Sequence, residues 1–476
     1  MVPDHQGGGV MRADLFAEPV AGLEEALAAV DAFDRALIGG LLRPQPAQAA
    51  GLAELTDAVA GTPLAARVAE AAEKAAAGAA GEEHFTALAA ARTALLGSVH
   101  DALTAVADEA AGRTRTEAPA AEPAAEPAEP HAPNLQAAAR SWLADLARAG
   151  WQGIDHDLVS GSAQLVSAML PDPALRRLAT LLDGFAAELA ASCPGATLDT
   201  FPVRRWADLW SRALLLAQPG AASTPPAGTA TGRLLPLGID LQEHATAALA
   251  QVHAVFEPAD GGTPRLVRAA VAVPKPDTVV GAGVWQLLRP HMSLLAAVGE
   301  GRSMDLEDMP ITPEGDLVWN DAHARPGEPA DAFSTARVVL SAAEATATAP
   351  LDRHPAGIAL PVLLEGYTVQ QDGDALALVL AGHPVAVDTD RIPAAGPLTP
   401  EAVAASGACI ALLRWDAGAY LLQPLAVETT VRKKTVALHA GAWAGGTADK
   451  LGVKAEKAAT DAVAVLRERA GRLLRK

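Results

Sequence analysis

The sequence predicts a multidomain α plus β protein. It has an N-terminal helical bundle, a second helical module and a C-terminal antiparallel β-rich domain, a sandwich or partly closed barrel, which ends in a basic amphipathic helix. Three observations predict this. Residues 14–217 place apolar side chains at three- and four-residue steps. From Arg233 onward, short alternating runs are separated by Gly and Asp turns. Proline-rich breaks divide the chain between these parts. At 476 residues, half of them apolar, the chain exceeds one ordinary core. Much of that apolar half is alanine, which favours helix but buries little area, so light helical packing is expected.

Residues 1–13 read as a disordered leader. They lack the basic start and apolar stretch of a secretion signal, so a cytoplasmic protein is expected. In the bundle, 14–112, Leu23, Leu27, Val30, Phe33, Leu37 and Ile38 share one helical face, and Gly39-Gly40 closes the helix. A second helix carries Leu52, Leu55 and Val59. A third opens at Thr62-Pro63, a cap residue followed by proline at the first position. A fourth runs from about Glu82 to Ala111 with Phe85, Leu88, Leu95, Val99, Leu103 and Val106 as its stripe. Short loops between these helices imply an antiparallel bundle.

Residues 113–134 interleave prolines 119, 123, 127, 130 and 133 with glutamates, the composition of a semi-rigid acidic linker. The bundle is therefore expected to move relative to the rest. In the helical module, 135–217, Trp206, Leu209, Trp210 and Leu214 recur at helical spacing and read as core rather than as ligand stackers. A second linker is expected at 218–232.

Within the β-rich domain, 233–445, strands are expected at the end of 243–256, at 266–273, and near 316–319, 335–341, 358–370, 375–387, 408–415 and 420–428. Gln371-Asp372-Gly373-Asp374 is a hairpin signal, and 284–298 reads as a helix restarted at Pro290. The final part, 446–476, is expected to be a basic amphipathic helix with Leu451, Ala455, Ala462, Leu466 and Leu473 on one side.

Absent motifs exclude several chemistries. There is no GxxxxGK[ST], GxSxG, HExxH or CxxC, and Gly281-Ala282-Gly283 lacks the third glycine of a dinucleotide fingerprint. The sequence calls for no cofactor and no catalytic residue. Its two cysteines cannot build a disulfide framework, and Cys409 reads as a small buried hydrophobe. No apolar run reaches the roughly 18 to 20 residues of a membrane span. One acidic constellation, Asp305, Glu307, Asp308, Asp316, Asp321 and His323, has the residue types of a divalent-cation site or an acid–base pair. Asp305, Asp308, Asp321 and His323 are its candidate ligands. The competing reading is a solvated loop around Pro310, Pro313 and Pro326.

The formal charge of −19 argues against nucleic acid as a partner of the whole surface. Yet from Arg432 to Lys476 there are eleven Lys and Arg against four Asp and Glu, a net of +7 that leaves −26 for residues 1–431. Arg432, Lys433, Lys434, Trp443, Arg467, Arg469 and Arg472 are the candidate partner-binding residues. The bland reading is a solvated surface whose cations complement the helix dipole. The functional readings are a docking surface for an acidic protein, or for the chain's own acidic linker, and a contact with nucleic acid or anionic lipid. Trp443 is the one aromatic close to the cluster, which weakens a single-strand nucleic-acid site.

The stretches 232–257 (GRLLPLGIDLQEHATAALAQVHAVFE), 284–290 (VWQLLRP) and 408–440 resemble a group of uncharacterised actinobacterial proteins. Those are associated with gene clusters holding SWIM zinc-finger proteins, MoxR-type AAA+ ATPases and von Willebrand A-domain proteins. The chain itself lacks their zinc cysteines, nucleotide loop and DxSxS site. The resemblance implies an accessory role: a non-enzymatic adaptor or scaffold that binds protein partners in an ATPase-associated complex. A metal-dependent hydrolase using the acidic loop, and nucleic-acid binding through the basic tail, are the alternatives.

Overall fold

Apolar side chains at helical spacing produce the helices expected of the first half. The structure, a computed structural model, describes residues 11–113, 115, 132–221, 228–244, 246–431 and 433–473. The first block holds α1 (Leu23–Ala36), α2 (Pro46–Ala58), α3 (Ala65–Ala76) and α4 (Glu82–Ala110). The second holds α5 (Pro133–Ala149), α6 (His156–Ser160), α7 (Ser162–Met169), α8 (Arg176–Ala191) and α9 (Val203–Leu216).

These blocks are one body, which corrects the expected movement of the bundle. Phe33, Leu55 and Phe85 of the first share a core with Trp142, Trp151 and Trp210 of the second, and the Phe33 and Trp210 rings lie 6.3 Å apart. Inside that core Arg92 of α4 donates through Nε and Nη2 to Asp34 of α1 at 2.7 and 3.0 Å, and through Nη1 to Asp208 of α9 at 3.5 Å. A charge this deep is tolerated only when paired. Most of the proline-rich linker (114 and 116–131) and residues 1–10 of the expected leader lie outside the described residues. Met11 and Ala13, read as leader, are buried in the fold.

The β half begins earlier than expected, inside the second linker, with β1 (Gly228–Glu243). Two bulges bend this long strand, which pairs over 228–234 with β4 (Arg302–Ile311) and over 232–243 with β2 (Ala247–Pro258). Gly232 sits where the three strands meet, and a Cβ there would lie 2.2 Å from the Glu257 carbonyl oxygen. β2 pairs antiparallel with β3 (Arg265–Pro274), β3 parallel with β5 (Asp316–Leu317), and β5 antiparallel with β4. The ring β1-β2-β3-β5-β4 is thus closed. Between β3 and β4 run α10 (Trp285–Leu288) and α11 (Ser293–Gly299), restarted around Pro290 as expected, with Trp285 in the core. β6 (Ala324–Pro329) adds to β4.

The next segment departs from expectation. Residues 335–341 form no strand: α12 (Ala332–Thr335) continues as a π-helical turn through Leu340. Asp331 starts it by accepting from the Ser334 amide at 2.7 Å, and Phe333, Ala336 and Leu340 are its buried stripe.

There follow β7 (Leu360–Glu365), β8 (Thr368–Asp372), β9 (Ala375–Leu380), β10 (His383–Val387), α13 (Pro400–Ala404), β11 (Ser406–Asp416), β12 (Ala419–Val431) and β13 (Lys434–His439). Taken as one strand bent at Gly366, β7 and β8 repeat the role of β1. β8 pairs with β9, β9 with β10, β10 parallel with β12, β12 with β11, and β11 with β7. Strand order, the parallel pair and the helix between the third and fourth strands all match the first ring. The single antiparallel domain expected from sequence is therefore two tandem Greek-key barrels of one topology, each with a parallel pair.

Two features join the parts. α4 acts as a spine: Phe85 and Leu88 lie in the helical core, whereas Val99, Leu103 and Ala107 lie in that of the second barrel. There Tyr420 donates its hydroxyl to the Leu103 carbonyl at 2.6 Å. The barrels meet where β1 crosses β12, so closely that a Cβ on Gly238 would stand 2.8 Å from Leu425 Cβ.

Candidate functional site

The acidic constellation is dispersed by the strands that carry it. Asp305 and Glu307 are the outward members of β4, alternating with buried Met304 and Leu306, and Asp305 stands opposite Arg233 and Arg325. Asp308 has a left-handed backbone (φ 52°), and its amide donates to Thr231 Oγ1 at 2.9 Å. Asp321 accepts from the Ser293 amide at 3.0 Å and from Trp319 Nε1 at 2.6 Å. Partial burial raises this carboxyl, but the donated hydrogen bonds outweigh it and hold the group below its ordinary value. His323 donates Nδ1 to the Glu307 carbonyl at 2.8 Å. Among the described residues no three His, Cys, Asp or Glu converge on a point where an ion could sit.

The basic residues separate into two groups. Lys433 (φ 65°) occupies the turn between β12 and β13, and Lys434 follows it, exposed, at the start of β13. Arg432 lies outside the described residues. Trp443 packs partly buried on the first barrel's core, against Gly452. Arg467, Arg469 and Arg472 are exposed near the end of α14 (Lys450–Leu473).

The construction of α14 divides it in two. Asp449 caps it, accepting from the Leu451 and Gly452 amides at 2.9 and 3.2 Å. Its first half is anchored by small residues. Ala459 is buried against the helical turn at Gly281–Val284, with Ala455 and Ala462 beside it. The approach is close enough that a Cβ on Gly283 would stand 2.9 Å from that of Ala459. Arg289 ties the anchor by donating to Glu456 at 3.1 Å and to the Ala444 carbonyl at 2.6 Å. The face expected from the sequence is split: Ala455 and Ala462 pack, whereas Leu451 is 76% exposed and Leu466 45%. From Ala464 to Ala470 every residue is exposed. Beside this free half a groove of about 650 Å³ runs along Val273, Leu287, Pro290, Val463 and Arg467.

Three groups of reactive chemistry are buried. Asp240 of β1 accepts from Arg414 and Gln423 of the second barrel, each at 2.8 Å, and from Gln242 at 2.9 Å, which engages both of its oxygens. His253 is wholly buried and pushed down to about 3 by that burial, so it is neutral. Burial likewise pushes the Cys409 thiol up to about 12, which removes the thiolate a nucleophile needs.

Barrels of this kind commonly present ligands across their second and third strands. In the second barrel the outward positions there are Ala375, Ala377, Val379, Pro384 and Ala386, together with His383. In the first the exposed or half-exposed positions include Leu249, Gln251, Ala270 and Ala272. Neither surface offers an aromatic platform, and Arg268, which shares that face of the first barrel, is committed to Asp316 at 2.9 Å. No family model, no curated protein and no solved structure matches the chain.

Proposed function

We propose that this protein is a non-enzymatic adaptor that binds an acidic protein partner through the free half of α14. The observation that carries the reading is the contrast within one helix: Ala455, Ala459 and Ala462 are seated, whereas Val465 and Leu466 are each 45% exposed beside exposed Arg467 and Arg469. A helix end that lacks tertiary support is marginal in water. Its apolar side chains and its basic ones both gain on docking against a surface of matching shape and opposite charge. The dispersed acidic residues and the Asp240 carboxylate, tied on both oxygens to Arg414, Gln423 and Gln242, support the adaptor over an enzyme. Outward barrel faces without an aromatic platform, with Arg268 paired to Asp316, support a protein partner over nucleic acid.

The test is site-specific photo-crosslinking from position 466 of the full chain in native lysate. A discrete heterologous adduct is expected, and Arg467→Glu together with Arg469→Glu abolishes it. Self-adducts alone, or an adduct indifferent to the charge reversal, would contradict the reading.

A further inference from the structure

α4 ends at Ala110, the chain turns at Gly112 (φ 63°), and the next residue, Arg113, lines a cavity of about 550 Å³. Ala336 and Leu340 of the α12 turn and Val362 and Leu364 of β7 form much of its apolar wall. Arg113 is 9% exposed, and only one of its nitrogens is engaged, Nη2 donating to the Pro361 carbonyl. Nε and Nη1 have no acceptor.

The other charged groups on the lining are matched. Arg12 pairs with Asp14 and Glu109, and Arg337 with Glu365 and Glu428. Asp108, on the last turn of α4, accepts from Arg115 Nε through Oδ2 at 2.6 Å and keeps Oδ1 bare. Burial pushes the Arg113 guanidinium down to about 10, with Asp108 opposing the shift, so it stays cationic at neutral pH. A buried cation with open donors is costly unless acceptor oxygens reach it. The volume lies in the range of small-ligand sites.

We propose that this cavity binds a small organic anion, a carboxylate or phosphate monoester with an apolar body, whose oxygens accept from Arg113 while its apolar part lies against Leu340, Val362 and Leu364. The guanidinium supplies orientation and charge, and the strand and helical turn supply contact area.

Calorimetric titration of the full chain tests this with four probes: octanoate, octyl phosphate, octanol and inorganic phosphate. At least one amphiphilic anion saturates a single site, and comparing the two anions identifies the preferred head group. Octanol and inorganic phosphate, each lacking half of the recognition, do not saturate. Arg113→Met weakens the anion by about tenfold or more, as loss of a charge-assisted contact requires, and Arg113→Lys restores part of it. Ser341→Trp, an exposed position on the cavity lining, obstructs the site with Arg113 intact and also weakens binding. The proposal is overturned if neither amphiphilic anion binds, if octanol binds as tightly, or if Arg113→Met binds unchanged. Should Arg113→Met fail to fold, unchanged binding by Ser341→Trp overturns it equally.

Discussion

Arg414 of the second barrel donates to Asp240 of the first at 2.8 Å, and both side chains are buried at the joint between them. Burial raises the Asp240 carboxyl, but the Arg414 charge and the Gln242 and Gln423 amides outweigh it and hold the group below its ordinary value. Two barrels of one topology have no intrinsic docking register. This pair, with Gly238 seated on Leu425, supplies one.

Removing one member is the informative change. Arg414→Met leaves Asp240 buried without its counter-charge and is expected to cost about 3–5 kcal/mol in urea unfolding. The double variant Arg414→Met/Asp240→Leu recovers most of that loss, because no isolated charge remains. A single variant within about 0.5 kcal/mol of the parent, the range of neutral surface changes, would show the pair to be idle.

Acid sensitivity follows from His253. Its folded value, about 3, lies below the ordinary 6.5, so the unfolded chain takes up the proton first. Stability from this group is complete above about 6.5 and drains away as pH falls toward about 3. His100, His354 and His439 are also lowered, each chiefly by burial, and add the same sign. Urea midpoints at neutral pH and near pH 4.5 should fall with acid, and His253→Gln should flatten that fall. An unchanged slope in the variant would remove His253 from the explanation.

The single helical body predicts long-range damage. Trp210→Ala on α9 is expected to cost about 3–5 kcal/mol. Because its ring faces Phe33, hydrogen-exchange protection should drop in α1 and α4 as well as in α9. Full protection of α1–α4 in the variant would mean that the two blocks are separate after all.

The anchor of α14 makes a local prediction. Gly283→Val forces a side chain into the space occupied by Ala459 and the Ala455 carbonyl. Limited proteolysis should then cut within 450–473, while the thermal midpoint of the remaining structure stays near that of the parent. Resistance equal to the parent's would show that the helix is held elsewhere.

What the sequence made legible was local. The bounds of α4 were readable because Phe85, Leu88, Leu95 and Val99 keep helical spacing, and the hairpin at Gln371–Asp374 because its turn residues are neighbours. Barrel closure was not, since it rests on two-residue parallel pairings between distant segments, Arg268–Ala269 with Asp316–Leu317 and Ala386–Val387 with Leu421–Leu422. Residues 335–341 misled because Val338 and Val339 favour strand, yet the Asp331 cap and the Phe333, Ala336, Leu340 stripe prevail, and Val338 ends 75% exposed. On α14 the expected face held in part: Ala455 and Ala462 sit in the seam, whereas Leu451 and Leu466, too large for it, stay exposed. The alternation of Met304 and Leu306 with Asp305 and Glu307 was available as a strand signal and places the acidic side chains outward. Arg113 was hidden in the linker assignment, its one local clue being its place just after the glycine that ends α4.

The adaptor reading is tested most directly by quantitative affinity purification of the full chain beside a chain ending at Val463, followed by a salt gradient and mass spectrometry. It predicts a partner recovered in stoichiometric amount with the full chain, released by moderate salt and missing from the truncated chain. Identical recoveries from the two chains, or none from either, would contradict it.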